Sequence, residues 1–288
     1  MSDFVQQQNS VCDFSNSDSW VILSPIEQSI KRKIEAVGTP LKDWDIQINY
    51  GIKTGFNDAF IISSEKREEI LANCQTEDER KRTAELIRPI LRGRDIKRYG
   101  YEWAELWLIA TFPSRHYDID EYPSVKEHLL SYGIERLEQT GKVHTVNGEK
   151  IKARKKTNNK WFETQDSISY WEDFSKPKIV YPETTQGAYF AFDDKGLFID
   201  KTCFMLIADD AEYLQHTLSS RLFEFAYKRI FASVELGEHG YQYNKHALVK
   251  LPVIKPDKFI RLNVQNIDGQ IYKLYGITND EIHEIEKI

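Results

Sequence analysis

Positive charge in this 288-residue sequence is concentrated in two places, and both hold the residue types that grip phosphate. Residues 80–98 carry Arg80, Lys81, Arg82, Arg88, Arg92, Arg94, Lys97 and Arg98 against Glu85 and Asp95, a net +6. Residues 142–162 carry Lys142, Lys150, Lys152, Arg154, Lys155, Lys156 and Lys160 against Glu149, again +6. The whole chain is −6 at pH 7, so the remainder carries −18. A polyanion responds to the field within a Debye length, ~8–10 Å, and not to the total charge. The acidic total therefore does not exclude a nucleic-acid partner. Solvated faces of ordinary helices and loops account for such runs equally well on composition alone.

Other chemistry has less support. Asp95-Ile96-Lys97, with Asp78 upstream, has the form of the carboxylate and Asp-x-Lys elements of a Mg²⁺-dependent nuclease. With 45 acidic and 39 basic residues, such a triplet arises readily by chance. The nine prolines include no adjacent pair, so the Asn/Asp-Pro-Pro-Tyr/Phe loop of an amino-methyltransferase is missing. No Gly-x-Gly turn and no phosphate-cradling Gly-x-x-x-x-Gly-Lys-Ser/Thr loop occurs. The seven histidines form no His-x-x-x-His pair, and no Gly-x-Ser-x-Gly elbow exists. Cys12, Cys74 and Cys203 are far apart, which suggests neither a disulfide framework nor a zinc site. The sequence thus shows no catalytic centre of its own. No apolar run reaches the ~20 residues of a membrane span, and MSDFVQQQNS is not a secretory signal. A cytoplasmic protein is expected.

The elements that must position the basic residues read as α+β. After a polar arm, Ser24-Pro25-x-Glu27 opens a helix that Gly38 stops. Residues 44–62 read as two short strands around the turn Gly51-Ile52-Lys53-Thr54-Gly55. Thr76-x-x-Glu79 opens a helix running to about Arg88, before Pro89. A strand is expected over 103–110, and a helix from Pro123 or Ser124 to Gly141. Asn147-Gly148 places the second basic stretch in a hairpin or long loop. Strand patterns recur over 178–208, followed by a helix over 211–230. Leu251-Pro252-Val253 reads as the end of the globular part, and a helical tail follows with Thr278-x-x-Glu281 as its last cap. The expected division is an N-terminal arm and helix (1–43), a central domain (44–255) and a helical tail (256–288).

Three segments carry a resemblance. Gly51-Ile52-Lys53-Thr54-Gly55-Phe56-Asn57-Asp58-Ala59-Phe60-Ile61-Ile62 is similar to G-I-K-T-G-x-N-x-A-F-x-I. Leu91-Arg92-Gly93-Arg94-Asp95-Ile96-Lys97-Arg98-Tyr99 is similar to L-R-G-R-D-I-K-R-Y. Trp161-Phe162-Glu163-Thr164-Gln165, then Pro177-Lys178-Ile179-Val180-Tyr181, resembles W-x-E-L-Q … K-P-K-I-x-Y, with Thr164 where leucine is usual. A second departure is Leu218-Ser219-Ser220 in place of Leu-Asn-Ser. The chain resembles the TaqI-like C-terminal specificity domain of adenine-specific DNA methyltransferases and type IIG restriction enzymes.

That resemblance implies a mixed-sheet target recognition domain with flanking helices, lying on double-stranded DNA opposite a methyltransferase domain. It implies a fragment, or a stand-alone subunit that pairs with a separate methyltransferase or endonuclease chain. S-adenosylmethionine and Mg²⁺ belong to the full enzyme, and no cofactor to this chain. Taken with the charge pattern, it selects Arg92, Arg94, Lys97 and Arg98 for phosphate contacts, with Arg94 equally able to pair with Asp95. A plain hairpin at Gly51–Gly55 places Lys53, Thr54 and Asn57 at an edge, where Lys53 suits phosphate and Asn57 suits adenine or a turn cap. Lys150, Lys152, Arg154, Lys155, Lys156 and Lys160 form a groove-tracking loop, and neutralising about six phosphates predicts a salt slope near −5. Trp161 stacks on DNA or belongs to the core. A nuclease using Asp95 and Lys97, and a protein-interaction module docking an acidic partner, stay as alternatives.

Overall fold

The computed structural model describes residues 23–231, 235–236, 240–256 and 262–288. The expected polar arm and Cys12 lie outside them. The helices are α1 (Pro25–Val37), α2 (Ser64–Ala72), α3 (Glu77–Leu86), α4 (Pro123–Leu130), α5 (Ala211–Leu218), α6 (Arg221–Ala226), α7 (Ile267–Leu274) and α8 (Asn279–Ile285). The strands are β1 (Gln47–Tyr50), β2 (Ile61–Ser63), β3 (Ile87–Leu91), β4 (Leu106–Ile109), β5 (Val143–Val146), β6 (Glu149–Lys152), β7 (Lys178–Pro182), β8 (Ala191–Asp193), β9 (Phe198–Ile199) and β10 (Cys203–Ile207). The architecture is α+β, as the pattern of elements predicts.

Two four-stranded sheets organise it. The first runs β8-β7-β10-β1 and is antiparallel throughout. The second runs β9-β3-β4-β2, with β9 parallel to β3 and the other pairs antiparallel. Alternation along β7 and β10 splits their side chains between two cores. Ile179, Tyr181, Phe204 and Leu206 enter one, with α1, α5, α6, α7 and α8. Val180, Cys203 and Met205 enter the other, with the second sheet and α2, α3 and α4. The first sheet is therefore the shared middle layer, buried on both faces, which explains why KIVYP and CFMLI read as continuous apolar runs. Residues 267–285 pack into the same core as α1, through Ile267, Ile271, Tyr272 and Ile285. They do not lie outside the globular part as the sequence suggests.

The helix caps are the ones the sequence marks. Ser24 and Glu27 form a reciprocal capping box, as do Thr278 and Glu281. Ile30 and Ile34, one turn apart, are fully buried, each worth about 1.5–3 kcal/mol of burial. Thr76 caps α3, and the Glu79 carboxylate also accepts from the Ser124 amide at 3.1 Å, tying α3 to α4.

Four elements differ from the sequence reading. Residues 44–62 are not a hairpin: β1 and β2 belong to different sheets, and residues 51–60 cross between them with a short helix at Asn57–Phe60. The second helix ends at Leu86, and Pro89 sits within β3. Pro89 is tolerated because β9 pairs only with Ile90 and Leu91, leaving no ladder bond at its nitrogen on that side. The third helix ends at Leu130 rather than Gly141, followed by a separate turn at Ile134–Leu137. The helix expected over 211–230 breaks at Ser219-Ser220, where Ser220 caps α6, and widens to a π turn at Tyr227–Phe231.

Candidate nucleic-acid interface

The sequence-selected residues come from loops at one end of the strands. β1, β3, β7 and β9 all finish near the connection Asp200–Thr202. Gly51 follows β1, and a Cβ there would stand 1.8 Å from the Asp200 carbonyl oxygen, so only glycine lets the two backbones meet. Ile52 then bridges to Asp200, and the Asp200 amide donates to the Leu91 carbonyl at 2.9 Å. The first two motifs are thus neighbours through Asp200.

Within the first motif, Lys53 is exposed and Thr54 is buried. The Thr54 hydroxyl donates to Asn57 Oδ1 at 2.7 Å and accepts from the Phe56 amide at 3.2 Å. Thr54 therefore shapes the turn, and its selection as a DNA contact is corrected: a hydroxyl with both roles filled and no exposure reaches no ligand. Asn57 is exposed at the start of the short helix, holding Thr54 with its side-chain oxygen.

In the second motif the arginines divide. Arg92, not Arg94, takes Asp95: Nε and Nη2 reach the two carboxylate oxygens at 3.0 and 2.8 Å. Hydrogen bonding to Asp95 raises the Arg92 pKa further. Arg98 pairs with Glu224, which also holds Lys228. Arg94 is exposed and has no ion pair among the described residues. Lys97 is exposed, with Nζ 3.1 Å from the Arg94 carbonyl. Asp95, the carboxylate a metal-dependent nuclease would use, is 5% exposed and committed to Arg92. No group of three or more His, Cys, Asp or Glu side chains is placed to hold a metal among the described residues.

The second basic stretch forms the expected hairpin. Among the described residues β5 and β6 pair only with each other, from Val143 opposite Lys152 to Val146 opposite Glu149. Asn147 (φ 50°) and Gly148 (φ 86°) supply the two left-handed residues of the tight turn. Lys150, Lys152, Lys155, Lys156 and Lys160 are exposed. Arg154 is the exception and the second correction: it is 4% exposed. Its guanidinium donates to the carbonyls of Leu137 (2.8 Å), Thr54 (2.7 Å), Glu163 (2.8 Å) and Trp161 (2.5 Å), and lies over the Phe60 ring. Burial pushes its pKa down to about 10, so it stays charged at neutral pH. Arg154 fastens the hairpin base to the Gly51–Gly55 loop and to the Trp161 segment. Trp161 is half-buried, edge-on to Phe162 at 5.6 Å.

Sequence reasoning missed two supports. Gln139 is 4% exposed; its amide donates to the Lys160 and Glu163 carbonyls and accepts from Thr157. Lys178 is fully buried, 2.5 Å from Asp193, with desolvation lowering its pKa. A lysine in a strand motif gives no sequence signal that it will be paired inside.

The loops enclose an open groove of about 490 Å³, lined by Tyr50, Lys53, Asn159, Gln165, Asp166 and Tyr170 among others. A second cavity of about 310 Å³ involves Arg82, Arg88 and Arg115. It sits by Leu86, Ala110 and Phe198, at the other end of β3 from Arg92. The first basic run is therefore split across the length of a five-residue strand, ~15 Å.

Together these features define a class: an α+β domain with a groove among its loops and a lysine-rich hairpin fastened beside it through Arg154. The chain belongs to the TaqI-like C-terminal specificity domain family, whose model matches residues 88–253. It is 22% identical over 284 residues to the Type II methyltransferase M.PaeR7I of Pseudomonas aeruginosa, covering 93% of this chain and 44% of that protein. The chain thus spans less than half the length of that curated relative. Among solved structures, the type IIL restriction–modification enzyme MmeI in complex with DNA matches with a TM-score of 0.52 and 15% identity, over 86% of this chain and 35% of that one. The type IIG restriction endonuclease BpuSI matches with a TM-score of 0.48 and 15% identity, over 92% and 28%. The likeness to MmeI is one of fold. No helix among the described residues is long and apolar enough to cross a membrane.

Proposed function

We propose that this chain is a target recognition domain that binds double-stranded DNA and gives sequence specificity to an adenine-specific methyltransferase or type IIG restriction enzyme. The observation that carries the reading is the groove. Exposed Lys53 lines it, Arg154 holds the base of the lysine hairpin against its wall, and the family is one of specificity domains. Lys150, Lys152, Lys155, Lys156 and Lys160 supply phosphate contacts, with Lys53, Arg94 and Lys97 from the strand-end loops. Arg154, Arg92 and Thr54 hold that surface in shape. The chemistry on the flipped base, with S-adenosylmethionine and Mg²⁺, is assigned to a methyltransferase or endonuclease domain in the same polypeptide or in a partner subunit.

The test is fluorescence anisotropy of labelled duplexes titrated with the chain. Saturable binding in the micromolar range or tighter, weakening steeply with salt, is expected. Absence of any duplex binding at low salt overturns the reading.

A further inference from the structure

The groove holds a feature that phosphate binding does not explain, the Asp166 carboxylate in the same lining as Lys53. Residues 165–169 form its floor, and their backbone is clamped. The Gln165 and Asp166 amides donate to the Lys53 carbonyl at 3.1 and 3.3 Å. The Thr164 hydroxyl, standing where the family motif has leucine, donates to the Asp166 carbonyl at 3.0 Å. Ser114 binds the carbonyls of Ser167 and Ile168 through its amide (3.2 Å) and hydroxyl (2.8 Å). Ile168 is held at φ 50°, a costly conformation for a β-branched residue, with its side chain 3% exposed.

The ends of the Gln165 and Asp166 side chains, by contrast, make no hydrogen bond or ion pair among the described residues, though both line the groove and are half-buried. A fixed backbone presenting unpaired polar ends is preorganised for a ligand. The ligand cannot be phosphate at Asp166, because like charges repel. An unpaired carboxylate fits a hydrogen-bond donor, and on a duplex edge that donor is an exocyclic amine. Asp accepts from cytosine N4, and Gln pairs with adenine N6 and N7.

We infer that Gln165 and Asp166 are base-reading residues, Asp166 taking the amino edge of a cytosine and Gln165 that of an adenine. This rests on the DNA-binding reading above. The clamp by Lys53, Thr164 and Ser114 sets their reach, and the lysines bring the duplex in without reading it.

Selection of bound duplexes from a randomised pool tests it, using the chain, Asp166→Asn and Gln165→Ala. The unaltered chain is expected to enrich a site with one cytosine and one adenine position. Asp166→Asn loses the cytosine preference by about tenfold, the scale of one base contact. Its affinity for random duplex does not fall, because the change removes a negative charge. Gln165→Ala loses the adenine preference on the same scale. Salt-dependent binding with no enriched site, or one site enriched equally by all three proteins, overturns the inference and leaves DNA binding standing. No duplex binding by the unaltered chain removes the DNA-binding reading, and this inference with it.

Discussion

Residues 80–98 and 142–162 carry the same net charge of +6, yet the fold uses them differently. In the first, Arg82 precedes β3, Arg88 lies within it and Arg92–Arg98 follow it, and Arg92 and Arg98 are occupied by Asp95 and Glu224. In the second, a hairpin carries Lys150 and Lys152, the segment after it carries Lys155, Lys156 and Lys160, and a single buried arginine anchors its base. The difference follows from side-chain chemistry. A planar guanidinium with five donors can satisfy several carbonyls at once, so arginine serves as an internal fastener. An ammonium on a flexible stem stays hydrated, so the lysines remain free for a polyanion. A basic run is therefore better read residue by residue than as a sum.

Substitutions can break or sharpen this contrast. The largest effect is expected from Arg154→Ala, which leaves the Thr54, Leu137 and Trp161 carbonyls without their donor and takes one of two donors from Glu163. It should lower the unfolding free energy by about 3–5 kcal/mol, measured by denaturant titration. A change below about 1 kcal/mol would remove Arg154 from its fastening role. Arg92→Ala breaks the pair that Asp95 makes and should cost about 1–3 kcal/mol. Gly148→Ala places a Cβ at φ 86° and should cost about 1 kcal/mol, confined to the hairpin. Hydrogen exchange would show it as faster opening of 143–152 with unchanged protection in β7. Arg94→Ala should alter stability by no more than about 0.5 kcal/mol, while making the salt dependence of DNA binding shallower by about 0.9.

Much of the fold was legible locally. The caps at Ser24, Thr76 and Thr278, the Asn147-Gly148 hairpin and the runs at 178–182 and 203–207 each declare themselves within a few residues. Pairing partners did not. Nothing within residues 47–63 says that β1 and β2 enter different sheets, because that depends on β10 and β4, far along the chain. At the interface, the exposed lysines were legible from charge. The burial of Arg154 was not, since its four acceptors come from residues 54, 137, 161 and 163 and appear only on folding. Gln165 ends the Trp161–Gln165 segment and Asp166 follows it, but neither type nor spacing pointed to a ligand there, and the groove around them marks them out.

The division between holding and binding residues is tested most directly by the salt dependence of duplex binding, for the unaltered chain and for Lys150, Lys152, Lys155 and Lys156 all changed to Ala. With about 0.9 of slope per neutralised phosphate, the substituted protein should show a log–log slope shallower by about 3.6, with its unfolding midpoint unchanged. An unchanged slope, or a loss of stability in place of a loss of slope, would contradict it.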